Sequence, residues 1–498
     1  MSEKIAERLL LGPDGEAMAR AGGFETEYGL QVKRGRFAFE TTLPEGMTEE
    51  EIENSNHEAM GRDTPTQRFL NAAYGEDYNT YDQYGRLYVD IGGHPERATN
   101  EDTNFLFAAY RALHGHVHMR ATFKEAARRI ALQEGYDPQV LLTANVCDAH
   151  GNTWGSHDSL QVSGKVNLRE FTPARAAHNT SMIVWAGAGL VRRGESEYGE
   201  FTYELSERAP HFQQVAGTGT TCFRPLVNLR DEPLADLAKY RRVHNISNDS
   251  VMSPTVLALR LASQSIIFRA VELGESFDDL VPVNPVKAFQ AISSDITLKE
   301  KVLLQNGKEY TGVELQRALA ELALEAAFKA DYITDQELEW GETWIDVLDM
   351  LDRGPISDAT VARIEWVRKL VSIQHQLKKK RHAGDKSSDF DIAFLAAVDL
   401  HRLLPNEGVG MRSLRKGVYA LSPSNEILDN GLPQPDTRAK LRNALIAYLQ
   451  ERRIPFKADW DHIMCSPKGS WNGAVRLSLP EPLQTENDDL WRRIGAAA

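Results

Sequence analysis

The sequence predicts an α+β protein in which an antiparallel sheet comes first and helices dominate later. Three observations carry this. Residues 20–230 hold short runs of alternating apolar and polar residues bounded by Gly, Asn and Asp. After Arg230 the apolar residues recur at helical spacing. No repeat at solenoid or propeller period and no low-complexity segment interrupts the pattern.

Taken in order, FETEYGLQV, GRLYVDI, QVLLTANV, SLQVSGKVNL, EFTYELS and FRPLVNL are the expected strands, with a helix over Asn104–Leu132 among them. The long, polar and acidic connection between Glu27 and Arg86 reads as a surface helix and loops. Ser253-Pro254 opens a helix, with Ser as N-cap and Pro at the first helical position. Val313–Phe328, Trp340–Leu351 and Val361–Lys380 continue the helical part. The last ends in Lys378-Lys379-Lys380-Arg381, where cations complement the helix dipole, so the run reads as a solvated helix end. Gly408-Val409-Gly410 looks like a break. Helix Asp436–Arg453 and the segment Phe456–Trp460 then suit a small appended domain.

The chain has 498 residues, 42% of them hydrophobic, which is enough for a substantial core. A net charge of −14 argues against nucleic-acid binding through many phosphate contacts and against a polybasic membrane anchor. The three cysteines, Cys147, Cys222 and Cys465, are far apart and fit a reducing cytoplasm. No signal peptide is evident, and the apolar stretch near Ser181–Val191 is too short to span a bilayer.

The chemical signals are two. In Phe24-Glu25-Thr26-Glu27 a strand would point Glu25 and Glu27 from one face. A solvated edge strand would tolerate this pair, and so would a site where divalent cations neutralise it. In Arg86-Leu87-Tyr88-Val89-Asp90, alternation puts Arg86, Tyr88 and Asp90 on one face and Leu87, Val89 and Ile91 on the other; a Gly-Gly-His-Pro turn then presents Glu96. This is an ordinary amphipathic strand or one wall of a site. Two such strands would gather Glu25, Glu27, Asp90 and Glu96 as oxygen ligands suited to Mg²⁺.

ETEYG followed by RLYVDxGxHPExAT resembles the Pup ligase family and the related Pup deamidase/depupylase. Ordered matches continue through Asn152–His157, Leu205–Ala209, Asn228–Pro233, Tyr240–His244, Glu314–Arg317, Asp436–Ala439 and Asp459-Trp460. The resemblance implies a glutamine-synthetase-like carboxylate–amine ligase fold. Its expected divisions are an N-terminal extension (1–22), a catalytic domain (23–405) and a small C-terminal domain (406–498). It places Glu25, Tyr88 and Glu96 on magnesium-ligand positions, Arg86, Thr99 and Trp460 on ATP-contact positions, and Asp90 on that of the catalytic base. Glu27, His157, His244, Arg208, Arg230, Arg241 and Arg242 are further candidates. His157 and His244 also read as structural histidines, and the four arginines as ordinary surface charges.

The implied reaction uses ATP and Mg²⁺ to phosphorylate the C-terminal glutamate side chain of a Pup-like modifier, which a lysine of a target protein then attacks. An isopeptide bond results. A modifier of this kind is acidic, so an acidic enzyme would need its arginines gathered in one groove. The Asp90–His94 spacing resembles the ligase branch; the long Glu27–Arg86 connection resembles the hydrolase branch. The alternatives are therefore a Pup deamidase/depupylase, or a ligase joining another carboxylate and amine.

Overall fold

The computed structural model describes residues 3–34, 65–75, 79–90, 92–194, 200–466 and 471–497. Its main sheet has six antiparallel strands: β1 (Gly22–Glu27), β2 (Asn79–Asp82), β3 (Gly85–Val89), β4 (Pro95–Thr99), β5 (Ser156–Ser163) and β6 (Tyr240–Asn245). Their spatial order is β6-β5-β1-β4-β3-β2. Alternation divides this sheet cleanly. Phe24, Leu87, Leu160 and Val243 are buried on one face in the large core, while Glu25, Glu96, Tyr88 and His157 stand on the other.

Helices α1 (Phe105–Glu134) and α2 (Pro254–Leu273) pack against the apolar face and against each other. Asn104 caps α1 by accepting the Phe107 N–H, and Gly135 ends it at φ 70°. Ser253 caps α2, with Pro254 in the first turn as expected. Every residue of α2 except Leu273 is buried, which is why this helix shows no polar face in the sequence. Helices α3 (Gly312–Lys329) and α4 (Asp335–Arg353) pack onto α2 from outside.

Four expectations are corrected. FETEYGLQV is two strands: Gly29–Arg34 leaves β1 and pairs with Pro138–Thr143 in a separate three-stranded sheet. Tyr28 forms the corner, its ring buried and its N–H donated to Pro95 O at 2.8 Å. Val361–Lys380 is broken. Asp358–Val361 and Glu365–His382 are separate helices, because buried Ile364 is extended between them and the Trp366 N–H is taken by Gly187 O. Gly408 does not interrupt structure but precedes helix Val409–Arg415; a Cβ there would sit 1.9 Å from Asp399 O. Finally, helix Pro65–Tyr74 of the acidic connection is more than a solvated surface element: Asn71 is exposed, but Phe69, Leu70 and Tyr74 are buried and Phe69 stacks on Phe123 at 5.2 Å. The rest of that connection, residues 35–64 and 76–78, lies outside the described residues.

A second core forms around α5 (Arg438–Glu451), where Leu445, Leu449, Ile463, Leu477 and Ile494 pack together with Tyr81 of β2. Met411, Leu414, Tyr419 and Leu428 belong instead to the large core. No helix among the described residues is long and apolar enough to cross a membrane.

Candidate active site

Strand register assembles the polar face. Glu25 lies opposite Ala98 of β4 on one side and His157 of β5 on the other; Glu27 lies opposite Glu96, and Glu96 opposite Tyr88. Ser159 and His244 pair across β5 and β6. Directly opposed antiparallel residues point the same way, so register alone brings Glu25, Glu27, Tyr88, Glu96, His157 and His244 to one surface. Ligand atoms of Glu25, His157 and His244 lie within 4.8 Å of one another, and so do those of Glu27, Glu96 and His157. Gly155 permits this crowding: a Cβ there would be 2.3 Å from a Glu27 carboxylate oxygen and 2.4 Å from His157 Nε2.

The electrostatics follow from burial and like charge. Burial, then the charges of Glu25 and Glu27, pushes the Glu96 carboxyl well above the usual carboxylate range. Burial and Glu96 likewise push the Tyr88 phenol up. Burial would raise Glu25 too, but nearby His244, His157 and Arg242 outweigh it and hold that carboxyl below its usual range. His157 Nδ1 is 3.4 Å and Arg242 Nη1 3.5 Å from the Glu25 carboxylate. Burial pushes the His244 imidazole well below its ordinary value, and its Nδ1 lies 3.1 Å from Ser159 Oγ. A divalent cation among Glu25, Tyr88 and Glu96 would reverse the penalties on Tyr88 and Glu96, and an oxygen-rich donor set suits Mg²⁺. The residues present therefore fit the metal that the resemblance implies.

Asp90 follows β3 at the edge of this surface. Its two carboxylate oxygens accept the His94 N–H at 2.7 Å and the Gly92 N–H at 3.0 Å, a turn that Gly93 closes at φ 81°. Burial and the Glu27 charge lift its carboxyl above the ordinary value, against the pull of those N–H groups. The His94 ring stacks on Trp154 at 4.8 Å and 22°, tying the turn to the loop that precedes β5.

Beside the carboxylates, toward the C-terminal core, opens a cleft. Glu25, Thr99, Arg241, Arg242, Leu234 and Trp460 are among its walls. Thr99 Oγ1 accepts the Phe24 N–H at 3.1 Å. Arg86 lies opposite Ala98, its guanidinium 4.7 Å from the Tyr88 ring centre and 5.7 Å from that of Tyr81.

The four candidate arginines are not brought into one patch. Arg241 and Arg242 line the cleft, pairing with Asp231 and with Glu25 and Glu232. Arg230 is half-exposed, 3.2 Å from Glu232. Arg208 is fully buried and donates to Trp154 O at 2.6 Å, so it holds the loop rather than meeting solvent. Sequence reasoning passed over Trp154, Glu101, Arg438 and Arg442, and met Leu234 only as a departure from the resembled pattern, where a histidine is common. Two of them, Trp154 and Arg438, stand inside the matched motifs, which was the available signal.

A family model described as Pup-ligase protein matches residues 20–464. The Pup--protein ligase 2 of Rhodococcus erythropolis is 30% identical over 403 residues, covering 78% of this chain and 86% of that protein. The Pup--protein ligase of Actinosynnema mirum is 32% identical over 399 residues, covering 78% and 85%. The fold is similar to the ligase PafA in its crystal structure with the prokaryotic ubiquitin-like protein Pup, with TM-score 0.79 and 22% identity over 97% of this chain and 93% of that one. It is similar also to PafA in complex with ADP, with TM-score 0.73 and 23% identity over 93% of this chain and 97% of that one.

Proposed function

From a chain that belongs to the Pup-ligase family, we propose an ATP-dependent ligase that joins the C-terminal glutamate side chain of a Pup-like modifier to a lysine of a target protein. One observation carries the reading. A single sheet face sets Glu25, Glu27, Tyr88 and Glu96 in register, with Asp90 at its edge and an open cleft beside it.

In this reading ATP occupies the cleft with Thr99 and Trp460 at its walls, and its terminal phosphate faces the carboxylates. Glu25, Tyr88 and Glu96 would hold magnesium, which when bound neutralises charge on the phosphate oxygens. Arg86 offsets charge on the phosphoryl group as it moves to the modifier's γ-carboxylate, so this step is mainly positioning and electrostatics. Phosphorylation turns a poor electrophile into one with a leaving group. The target's amine, an ammonium with pKa ~10.4 when free, must lose a proton as the C–N bond forms. Asp90 accepts it, and the upward displacement of its carboxyl makes it a better base than an ordinary aspartate. Glu27, His157, His244, Arg241 and Arg242 shape the surroundings of metal and phosphate, with Arg208 and Arg230 further out.

The same proposal includes a large catalytic unit and a small C-terminal one. The second core supports the division, and the packing of Met411, Leu414, Tyr419 and Leu428 in the large core moves the proposed boundary from 406 to about 437. Free Cys147, Cys222 and Cys465 support a reducing, cytoplasmic setting.

The test incubates the protein with ATP, Mg²⁺ and a modifier ending in Glu or Gln, with and without a lysine-bearing target. A target that gains the modifier's mass, only with ATP, is the expected result. Release of modifier from a preformed conjugate without conjugation assigns the hydrolase instead. If neither reaction occurs, the reading as a ligase of another, smaller carboxylate gains ground.

A further inference from the structure

The cleft is closed by two walls that lie far apart in sequence, Leu234 and Trp460, and one carboxylate ties both to the sheet. Glu101 lies two residues beyond the end of β4 and, like Arg438, itself lines the cleft. Its Oε1 accepts Arg438 Nε at 2.7 Å and Arg442 Nη1 at 3.0 Å, and its Oε2 accepts Arg442 Nη2 at 2.7 Å. Arg438 and Arg442 are four residues apart on α5 and so share a face.

Each arginine carries one wall. Arg438 Nη1 donates to Leu234 O at 2.5 Å and to Leu479 O at 2.9 Å. Leu234 has a left-handed backbone, φ 50°, which for a leucine persists only where the surroundings hold it. Arg442 Nη1 donates to Trp460 O at 3.0 Å, and its guanidinium lies 4.9 Å from the Trp460 ring centre. Arg442 Nη2 also reaches Asn100 Oδ1 at 3.0 Å. Arg442 is fully buried, and the Arg438 and Glu101 side chains are only 7% and 12% exposed. Two guanidinium charges sharing one carboxylate at such depth leave the C-terminal unit strongly dependent on that carboxylate.

We infer that Glu101 is a positioning residue for the nucleotide, acting through Arg438 on the Leu234 wall and through Arg442 on the Trp460 wall. It thereby couples docking of the C-terminal unit to nucleotide affinity. The inference rests on the reading of the cleft as the ATP site. Coupling of this kind is reciprocal: nucleotide must tighten the C-terminal unit as much as the docked unit tightens nucleotide.

The test is Glu101→Gln, which keeps the volume and removes the charge. The ATP KM is expected to rise at least about tenfold, with kcat at saturating ATP within about threefold and the modifier KM unchanged. In the wild type, ADP is expected to slow amide hydrogen exchange over Phe456–Cys465, and Glu101→Gln to abolish that protection. If Glu101→Gln does not fold, Arg442→Lys keeps the charge but loses the planar fork, and the same split between KM and kcat is expected. A wild-type ATP KM in the folded variant overturns the inference. So does a parallel loss of kcat and modifier affinity, the mark of general loosening. Absence of any nucleotide binding by the wild-type protein is the separate result that removes the reading of the cleft, and the inference with it.

Discussion

Consecutive residues of β5 show how differently the two sides of the sheet treat buried charge. Asp158, on the apolar side and 1% exposed, accepts Arg260 Nε at 3.0 Å, Asn248 Nδ2 at 2.8 Å and Gln264 Nε2 at 3.0 Å. Its neighbours deeper in the core follow suit: Glu272 pairs with Arg20 at 2.7 Å, and Glu337 with Arg269 at 3.1 Å. One residue before Asp158, His157 faces the other side. There Glu96 meets Glu25, Glu27 and Asp90, eased by the Tyr88 hydroxyl. On the core side, these three carboxylates each have an arginine built in. On the cleft side, repulsion is retained, which leaves a position for cations supplied from solution.

The comparison can be broken in four ways. The largest effect is expected at Asp90→Asn. Conjugation should fall by about 10³-fold, some 4 kcal/mol in the barrier, while ATP binding survives. Conjugation at the wild-type rate would remove the base from the cleft side. Next is Arg260→Ala, which strands Asp158 and should cost about 3–5 kcal/mol in urea unfolding whether or not Mg²⁺ is present. A cost below about 1 kcal/mol would erase the contrast between the faces. Third, Glu96→Gln should do the reverse on the cleft side. Metal-free protein should gain about 1 kcal/mol as repulsion is relieved, while conjugation and stabilisation by Mg²⁺ are lost. A destabilised metal-free Glu96→Gln would show that the repulsion inferred here is not felt.

The smallest effect is in pH dependence. A raised carboxyl keeps in the folded state a proton that the unfolded chain releases. Its contribution is therefore complete below the unfolded pKa and is lost as pH rises through the folded one. For Glu96 that decline starts near ~4.3, and Mg²⁺ should flatten it. Asp249, pushed up to about 6 by burial and by Glu207, declines from ~3.9 and should not respond to Mg²⁺. Thermal unfolding across this range, with and without Mg²⁺, separates the two; equal responses would make the faces alike.

Much of this was legible in the chain. Period-two alternation in Phe24–Glu27 and Arg86–Asp90 implied which side chains share a face, and Ser253-Pro254 and Asn104 marked helix starts, because these signals lie within a few residues. The helix break at Ile364 was not legible, since it answers to a hydrogen bond from Trp366 to Gly187, far back in sequence. Nor was the burial of Arg208, which depends on a carbonyl 54 positions away. The walls of the cleft are the extreme case: Glu101 and Arg438 are 337 positions apart.

By itself, then, the sequence determined the α+β class, the polar faces of β1 and β3, and through its ordered motifs the family. Local sterics and side-chain alternation are properties of neighbouring residues. The tertiary structure decided which polar face meets which, that Glu96 stands among three other carboxylates, and that Leu234 and Trp460 close one cleft. Those outcomes arise from strand register and from buried ion pairs formed across hundreds of positions, where the free energy of a contact depends on what the rest of the fold has already excluded from water.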